Sequence, residues 1–134
     1  MTKQPVVVAA AVILDGARVL LTQRPGGTHL AGAWEFPGGK LEAGESPEEA
    51  LVREIREEID VEIAVDDILD VTFWRYPAKD VLLLFYRARI LSGEIADRGV
   101  AAHAWVTARE LDGYTFPPAD EKVVGKLRAL LDRG

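Results

Sequence analysis

The chain has no cysteine, which excludes disulfides, thiolate-bound zinc and a thiol nucleophile. No convincing Ser–His pair replaces the missing thiol. No apolar run approaches the roughly 18 residues of a membrane span. There is no low-complexity segment, repeat or linker, and no basic stripe. The formal net charge of −6 argues against a nucleic-acid polymer as partner, because phosphate backbones are bound by clustered Lys and Arg. A small phosphorylated ligand remains compatible with that charge if a divalent cation mediates the contact.

What remains is ordinary for a soluble globular protein: 134 residues, 49% hydrophobic and 28% charged. That length suits one domain, residues 1–134, with one real core. The opening MTKQPVVVAAAVIL superficially resembles a signal peptide but lacks a cleavage site. The Asp15-Gly16 break reads better as a hairpin turn between two strands. A cytoplasmic location is expected, with no membrane association; monomer and homodimer both stay open.

Val6–Leu14 and Arg18–Thr22 read as a buried hairpin. A Pro25-Gly26-Gly27 loop, a short strand near Trp34–Phe36 and a Pro37-Gly38-Gly39 turn come next. Further strands are expected at 63–76, interrupted, at 81–90 and at 102–106. Thr107 to Glu110 forms a capping box for a short helix, and the apolar spacing of residues 118–131 predicts a closing helix. Strands and helices mix without regular alternation, so the expected class is α+β, a mixed sheet with helices packed on it.

The segment GGKLEAGESPEEALVREIREEID, residues 38–60, concentrates eight acids against three bases. Ser46-Pro47-Glu48-Glu49 is a helix start, with Ser as N-cap, Pro at the first helical position and Glu49 closing a capping box. Leu51, Ile55 and Ile59 then form an inward stripe. Glu54, Glu57 and Glu58 share the other side, where like charges cost a few tenths of a kcal/mol per pair, order of magnitude. Two readings fit: solvated charge on an exposed face, or a cradle for a hard cation such as Mg²⁺ that removes the repulsion.

The full spacing resembles the Nudix box, G-x5-E-x7-R-E-U-x-E-E-x-G-U with U a bulky aliphatic. Gly39, Glu45, Arg53, Glu54, Ile55, Glu57, Glu58 and Val61 match within residues 39–61. Asp60 stands where the family usually has Gly; Asp tolerates positive φ, so a small loss of stability is expected there, not lost activity. The resemblance implies an α/β/α sandwich, the Nudix fold, with a strand–loop–helix–loop motif. It also implies metal-dependent hydrolysis, with Mg²⁺ or Mn²⁺, of a nucleoside diphosphate linked to another moiety. On this chain it makes Glu57 and Glu58 metal ligands, Glu54 a further ligand or the base for water, and the Gly39 carbonyl a further donor. Arg53 and Glu45 become an ion pair holding the loop on the helix. A non-catalytic Nudix binding module is a weaker reading, since such modules usually lose these glutamates.

LLTQRPGGTHLAGAWEFPGGK and FPPADEKVVGKL resemble MutT-type members along the whole chain. That resemblance places Arg24 and His29 on the nucleotide or phosphate side and Phe36 beside the base, with core packing as the alternative for Phe36. Asp120 occupies the place of an Asn that reads oxidised guanine. An ionised carboxylate only accepts hydrogen bonds, which favours donors such as the cytosine 4-amino group, or equally guanine's N1–H and 2-amino group; capping of the last helix is the alternative. A late acidic ligand falls on Gly99 without gaps, with Asp97 or Glu94 reachable by a loop shift. Pro77 weakly resembles the ADP-ribose branch. The expected substrate is a small nucleotide, 8-oxo-dGTP first and CTP or 5-substituted dCTP next, cut to a monophosphate and pyrophosphate.

Overall fold

The computed structural model describes residues 4–28 and 30–132. In chain order the elements are β1 (Val6–Asp15), β2 (Arg18–Gln23), β3 (Trp34–Glu35), β4 (Gly38–Lys40), α1 (Pro47–Ile59), β5 (Glu62–Arg75), β6 (Asp80–Ser92), β7 (Ala102–Thr107) and α2 (Glu121–Asp132). The sheet runs β3-β2-β1-β6-β5, with β4 added to β1 and β7 to β2. β1 and β6 are parallel while the other pairs are antiparallel, so the sheet is mixed, as expected.

β1 is buried on both faces, which is why it reads as an unbroken apolar run. Ala9, Ala11 and Ile13 pack with Leu51, Ile55 and Ile59 of α1. Ala10 and Val12 pack with Val123, Leu127 and Leu131 of α2. The result is the expected helix–sheet–helix sandwich. Among the described residues no helix is long and apolar enough to cross a membrane.

The first hairpin turns at Gly16 (φ +60°) but pairs only at Leu14–Val19 and Asp15–Arg18. Beyond that the strands part. β2 turns to β7 and β3, and the N-terminal half of β1 takes β4 instead. A fork therefore opens beside β1, and the chain at Pro37 bridges it through a 2.8 Å bond from the Ala11 N–H.

α1 starts as its sequence requires. Ser46 Oγ accepts from the Glu49 N–H at 3.1 Å, and Glu49 accepts from the Ser46 N–H at 2.9 Å. It ends at Asp60, which sits in the left-handed region at φ 61°. Its last carbonyls are met from outside: Ala96 donates to Ile59, and Arg98 and Gly99 donate to Glu58, each at 3.0 Å.

Three local expectations are refined. β5 runs through its interruption, with register shifts between Val65 and Ile68 and between Ile68 and Asp70. The Thr107–Glu110 capping bonds form, yet they lead only into a single 3-10 turn, Glu110–Gly113. The closing helix is preceded by another 3-10 turn, Pro118–Asp120, because the prolines cannot donate into a regular helix.

Gly38 lies at φ 154°, and a Cβ there would stand 2.1 Å from the Ala9 carbonyl oxygen. The obstacle is backbone and cannot step aside. Gly38→Ala is expected to cost about 3 kcal/mol in urea unfolding. A loss below about 1 kcal/mol would show that β4 does not need this close approach.

Candidate functional site

The fork beside β1 is where the acidic helix meets the sheet. Glu58, near the end of α1, points inward and accepts from the Gly38 N–H at 3.0 Å. Burial and the neighbouring Glu54 carboxylate push Glu58 up to about 8. Glu54 lies against Gly39, whose missing side chain makes the space: a Cβ there would be 2.5 Å from the Glu54 carboxyl carbon. Glu57 is the outermost of the three, with its side chain 59% exposed. The three glutamates are thus graded from buried to open and do not share one solvent face.

Arg53 organises the outer side. Its Nε and Nη2 take both Glu45 oxygens at 2.7 and 2.9 Å, and Nη1 reaches Glu54 Oε1 at 2.9 Å and Glu57 Oε2 at 3.2 Å. Nη2 also donates to the Lys40 carbonyl at 3.2 Å, tying the loop after β4 to the helix. Hydrogen bonds donated to Glu45 and Glu54 hold the guanidinium above its ordinary range. The Arg53–Glu45 pair thus has the geometry expected of it.

Glu58, Gly38, Gly39 and Lys40 line a cleft of about 510 Å³, which also takes in Arg24, Glu35, Phe36, Tyr76 and Asp120. Arg24 lines this cleft while its Nη1 bonds both Glu35 oxygens, at 2.8 and 3.0 Å. Burial outweighs that pairing and holds Glu35 above the usual carboxylate range. The Glu35 charge adds to the rise at both Glu58 and Asp120. Phe36 is both wall and core: it is 4% exposed, stacks on Phe116 at 5.8 Å and meets Phe85 edge-on at 6.0 Å.

Asp120 is 7% exposed and lines the cleft. Burial, with a smaller push from Glu35, raises its carboxyl to about 7. Burial, with a smaller push from the Asp120 charge, raises the Tyr76 phenol. His29 lies outside the described residues. Asp97 bonds His103 Nδ1 at 2.6 Å, and Gly99 packs on Glu58, where a Cβ would be 3.4 Å from its Cα. Glu94 is exposed and outside the cleft lining.

Sequence reasoning alone misses Glu35 and Tyr76. The signal for Glu35 is its place between Trp34 and Phe36 on a strand running into Gly-Gly. For Tyr76 it is the Pro77-Ala78 turn, closed by a 2.9 Å bond from the Tyr76 N–H to the Lys79 carbonyl.

Among the described residues no three acidic, imidazole or thiol groups converge on one metal position, because Glu54 and Glu57 both turn onto Arg53. The donor chemistry nevertheless fits a hard divalent ion: carboxylate and carbonyl oxygens, one carboxylate anchored by a backbone amide and one against a side-chain-free glycine.

Residues 3–127 match the NUDIX domain family. The 8-oxo-dGTP diphosphatase of Haemophilus influenzae is 38% identical over 95% of this chain and 94% of its own length. The CTP pyrophosphohydrolase of Escherichia coli is 33% identical over 92% of this chain and 91% of its own. The solved structure of the E. coli ORF135 protein aligns with a TM-score of 0.78 at 31% identity, over 96% of this chain and 90% of that one. The acidic helix, its glycine-floored approach to the sheet and these end-to-end relatives agree: the chain belongs to the NUDIX hydrolase family.

Proposed function

We propose that the chain is a divalent-cation-dependent nucleoside triphosphate pyrophosphohydrolase that releases a monophosphate and pyrophosphate and serves nucleotide-pool sanitation. The single observation that carries this is that Glu58 and Asp120 line the same cleft, one beside the glycine turn and one beside aromatic rings. A polyphosphate and a base need those two environments at the two ends of one site.

Glu54, Glu57, Glu58 and the Gly39 carbonyl would hold the cation, Mg²⁺ or Mn²⁺, which when bound neutralises phosphate charge and activates water. Glu58 is fixed by the Gly38 N–H and cannot swing out of the cleft. Arg53 bonds Glu54 Oε1, which leaves Glu54 Oε2 to receive the proton of the attacking water. Lys40, on the cleft lining next to Gly39, supplies positive charge to the departing pyrophosphate. Arg53 and Glu45 hold the loop and helix in register and do not touch substrate.

At the other end Phe36 backs the base and Asp120 reads it. Because the Asp120 carboxyl titrates at about 7, both of its forms are populated at neutral pH. The protonated acid donates and accepts, as an amide does, and complements the O6 acceptor and N7–H donor of 8-oxoguanine. The ionised acid only accepts, and suits the cytosine 4-amino group. The leading substrate is 8-oxo-dGTP. CTP is the second, favoured by the ionised form and by the relative that acts on it.

Glu57→Gln and Glu58→Gln are each expected to lower kcat by about 10²–10⁴-fold with Mg²⁺ present, at unchanged circular dichroism. Full turnover in both would remove the glutamates from the chemistry. For the wild type, the ratio of kcat/KM for 8-oxo-dGTP over CTP should rise as pH falls from 8.5 to 6. Asp120→Asn should hold that ratio high at every pH, and a wild-type ratio flat with pH would count against Asp120 as the reader.

Stability should follow the same group with a definite sign. The folded pKa lies above the ordinary 3.8, so the contribution of Asp120 to stability is lost as pH rises from about 4 through 7 and is constant beyond. Asp120→Asn should therefore gain on the wild type across that window, reaching about 3–4 kcal/mol at pH 8.5 in urea unfolding.

A further inference from the structure

We propose that Asp70 is a positioning residue for base recognition: it latches the first turns of α2 onto β5 through Lys122 and Lys126, and so fixes Asp120 in the cleft wall. This rests on the reading of Asp120 given above.

Asp70 is a carboxylate only 7% exposed, on the strand that ends the sheet, immediately after a register shift at Ile68. Burying a carboxylate is costly unless specific partners meet it. Its side-chain partners among the described residues both come from α2. Lys126 Nζ reaches Asp70 Oδ1 at 3.1 Å and Lys122 Nζ reaches it at 3.2 Å. The same ammonium groups reach backbone carbonyls of β5, Lys122 to Val71 at 2.8 Å and Lys126 to Leu69 at 3.5 Å. Burial alone would raise the Asp70 carboxyl; hydrogen bonds from Lys126, Lys122 and the Val71 N–H outweigh it and hold it below the ordinary range.

Packing does not demand this arrangement. Val123, Val124, Leu127 and Leu131 already bury the apolar side of α2. An apolar stripe tolerates small slides and rotations, whereas directional bonds to a buried charge select one register. The network is also sparing: Asp70 Oδ2 and Thr72 Oγ1 are buried without a partner. Across the gap to α2 it therefore rests on the two lysines.

The place of the latch connects it to the cleft. Lys122 is two residues beyond Asp120, and the 3-10 turn that carries Asp120 contacts β5. Asp70 and Thr72 lie opposite Phe85 and Leu83 of β6, which line the cleft. A shift of α2 along β5 would move Asp120 while leaving the α1 glutamates where they are.

The test uses the full chain with Asp70→Asn, Lys122→Met and Lys126→Met, the methionines keeping the apolar stems. First, the side-chain carboxyl ¹³C resonance of Asp120 is titrated in the free protein. A released α2 lets water reach Asp120, so all three variants should lower its midpoint by about half a unit or more. A bare charge effect would move Asp70→Asn and Lys122→Met in opposite directions, and that result, or no movement, overturns the latch. Second, KM for the preferred nucleotide should rise about tenfold in each variant with kcat within about twofold, a shift equivalent to 1.4 kcal/mol. In an Asp120→Ala background, Asp70→Asn should leave KM unchanged. Unchanged KM in the single variants, or equal losses in kcat for every nucleotide, also overturns the proposal. A wild type that shows no base preference would defeat the base reading by itself, and the titration would still decide the latch.

Discussion

Everything in the site depends on how closely α1 approaches the sheet at Gly38 and Gly39. Glu58 reaches a backbone amide across this gap, and Glu54 lies where a side chain on Gly39 would be. On the opposite side Gly38 is pressed on the Ala9 carbonyl. Two glycines in succession thus form a floor with backbone on one side and carboxylates on the other. The fork beside β1 supplies the room, since β2 leaves its partner after two residue pairs and β4 takes over. The carbonyls at the end of α1 are tied from the far side by residues 96–99, so the helix is clamped at the end that carries Glu58.

Charge in the cleft is sorted by depth. Glu57 is open to water, Glu54 shares Arg53, and Glu58 is buried with its carboxyl near 8. Elsewhere in the cleft Glu35 is paired with Arg24, and Asp120 near 7 is left among aromatic rings. An acidic chain therefore binds an acidic substrate without contradiction. Its outer acids are shared with Arg53, while burial raises the carboxyls of Glu58 and Asp120.

Much of this is legible in the sequence because it rests on local rules. Ser46, Pro47 and Glu49 set the helix start through bonds three residues apart, and Asp60 ends it in the left-handed region. The spacing of Gly39, Glu45, Arg53 and the three glutamates is short enough to be read from the chain. The illegible part depends on strands distant in sequence. Sequence similarity assigns Arg24 to the nucleotide or phosphate side, and its engagement by Glu35 appears only once β2 and β3 pair. The depth of Asp120 requires α2, the 3-10 turn and β5 to be in place together. An ionised, accept-only Asp120 is the natural reading of its type, and burial is what changes it. Periodicity places Glu58 on the polar side of α1; the fork in the sheet makes that side an interior one.

The lysines on α2 have one more consequence. β5 ends the sheet, and along its fourteen residues the alternate ones facing away from β6 would offer carbonyls and amides to any passing chain. Lys122 and Lys126 occupy the Val71 and Leu69 carbonyls with ammonium groups. Their positive charges stand where a neighbouring strand would have to dock. The long hydrophobic edge, with Val71 and Phe73 exposed, is thereby guarded against strand addition and aggregation by residues of its own helix.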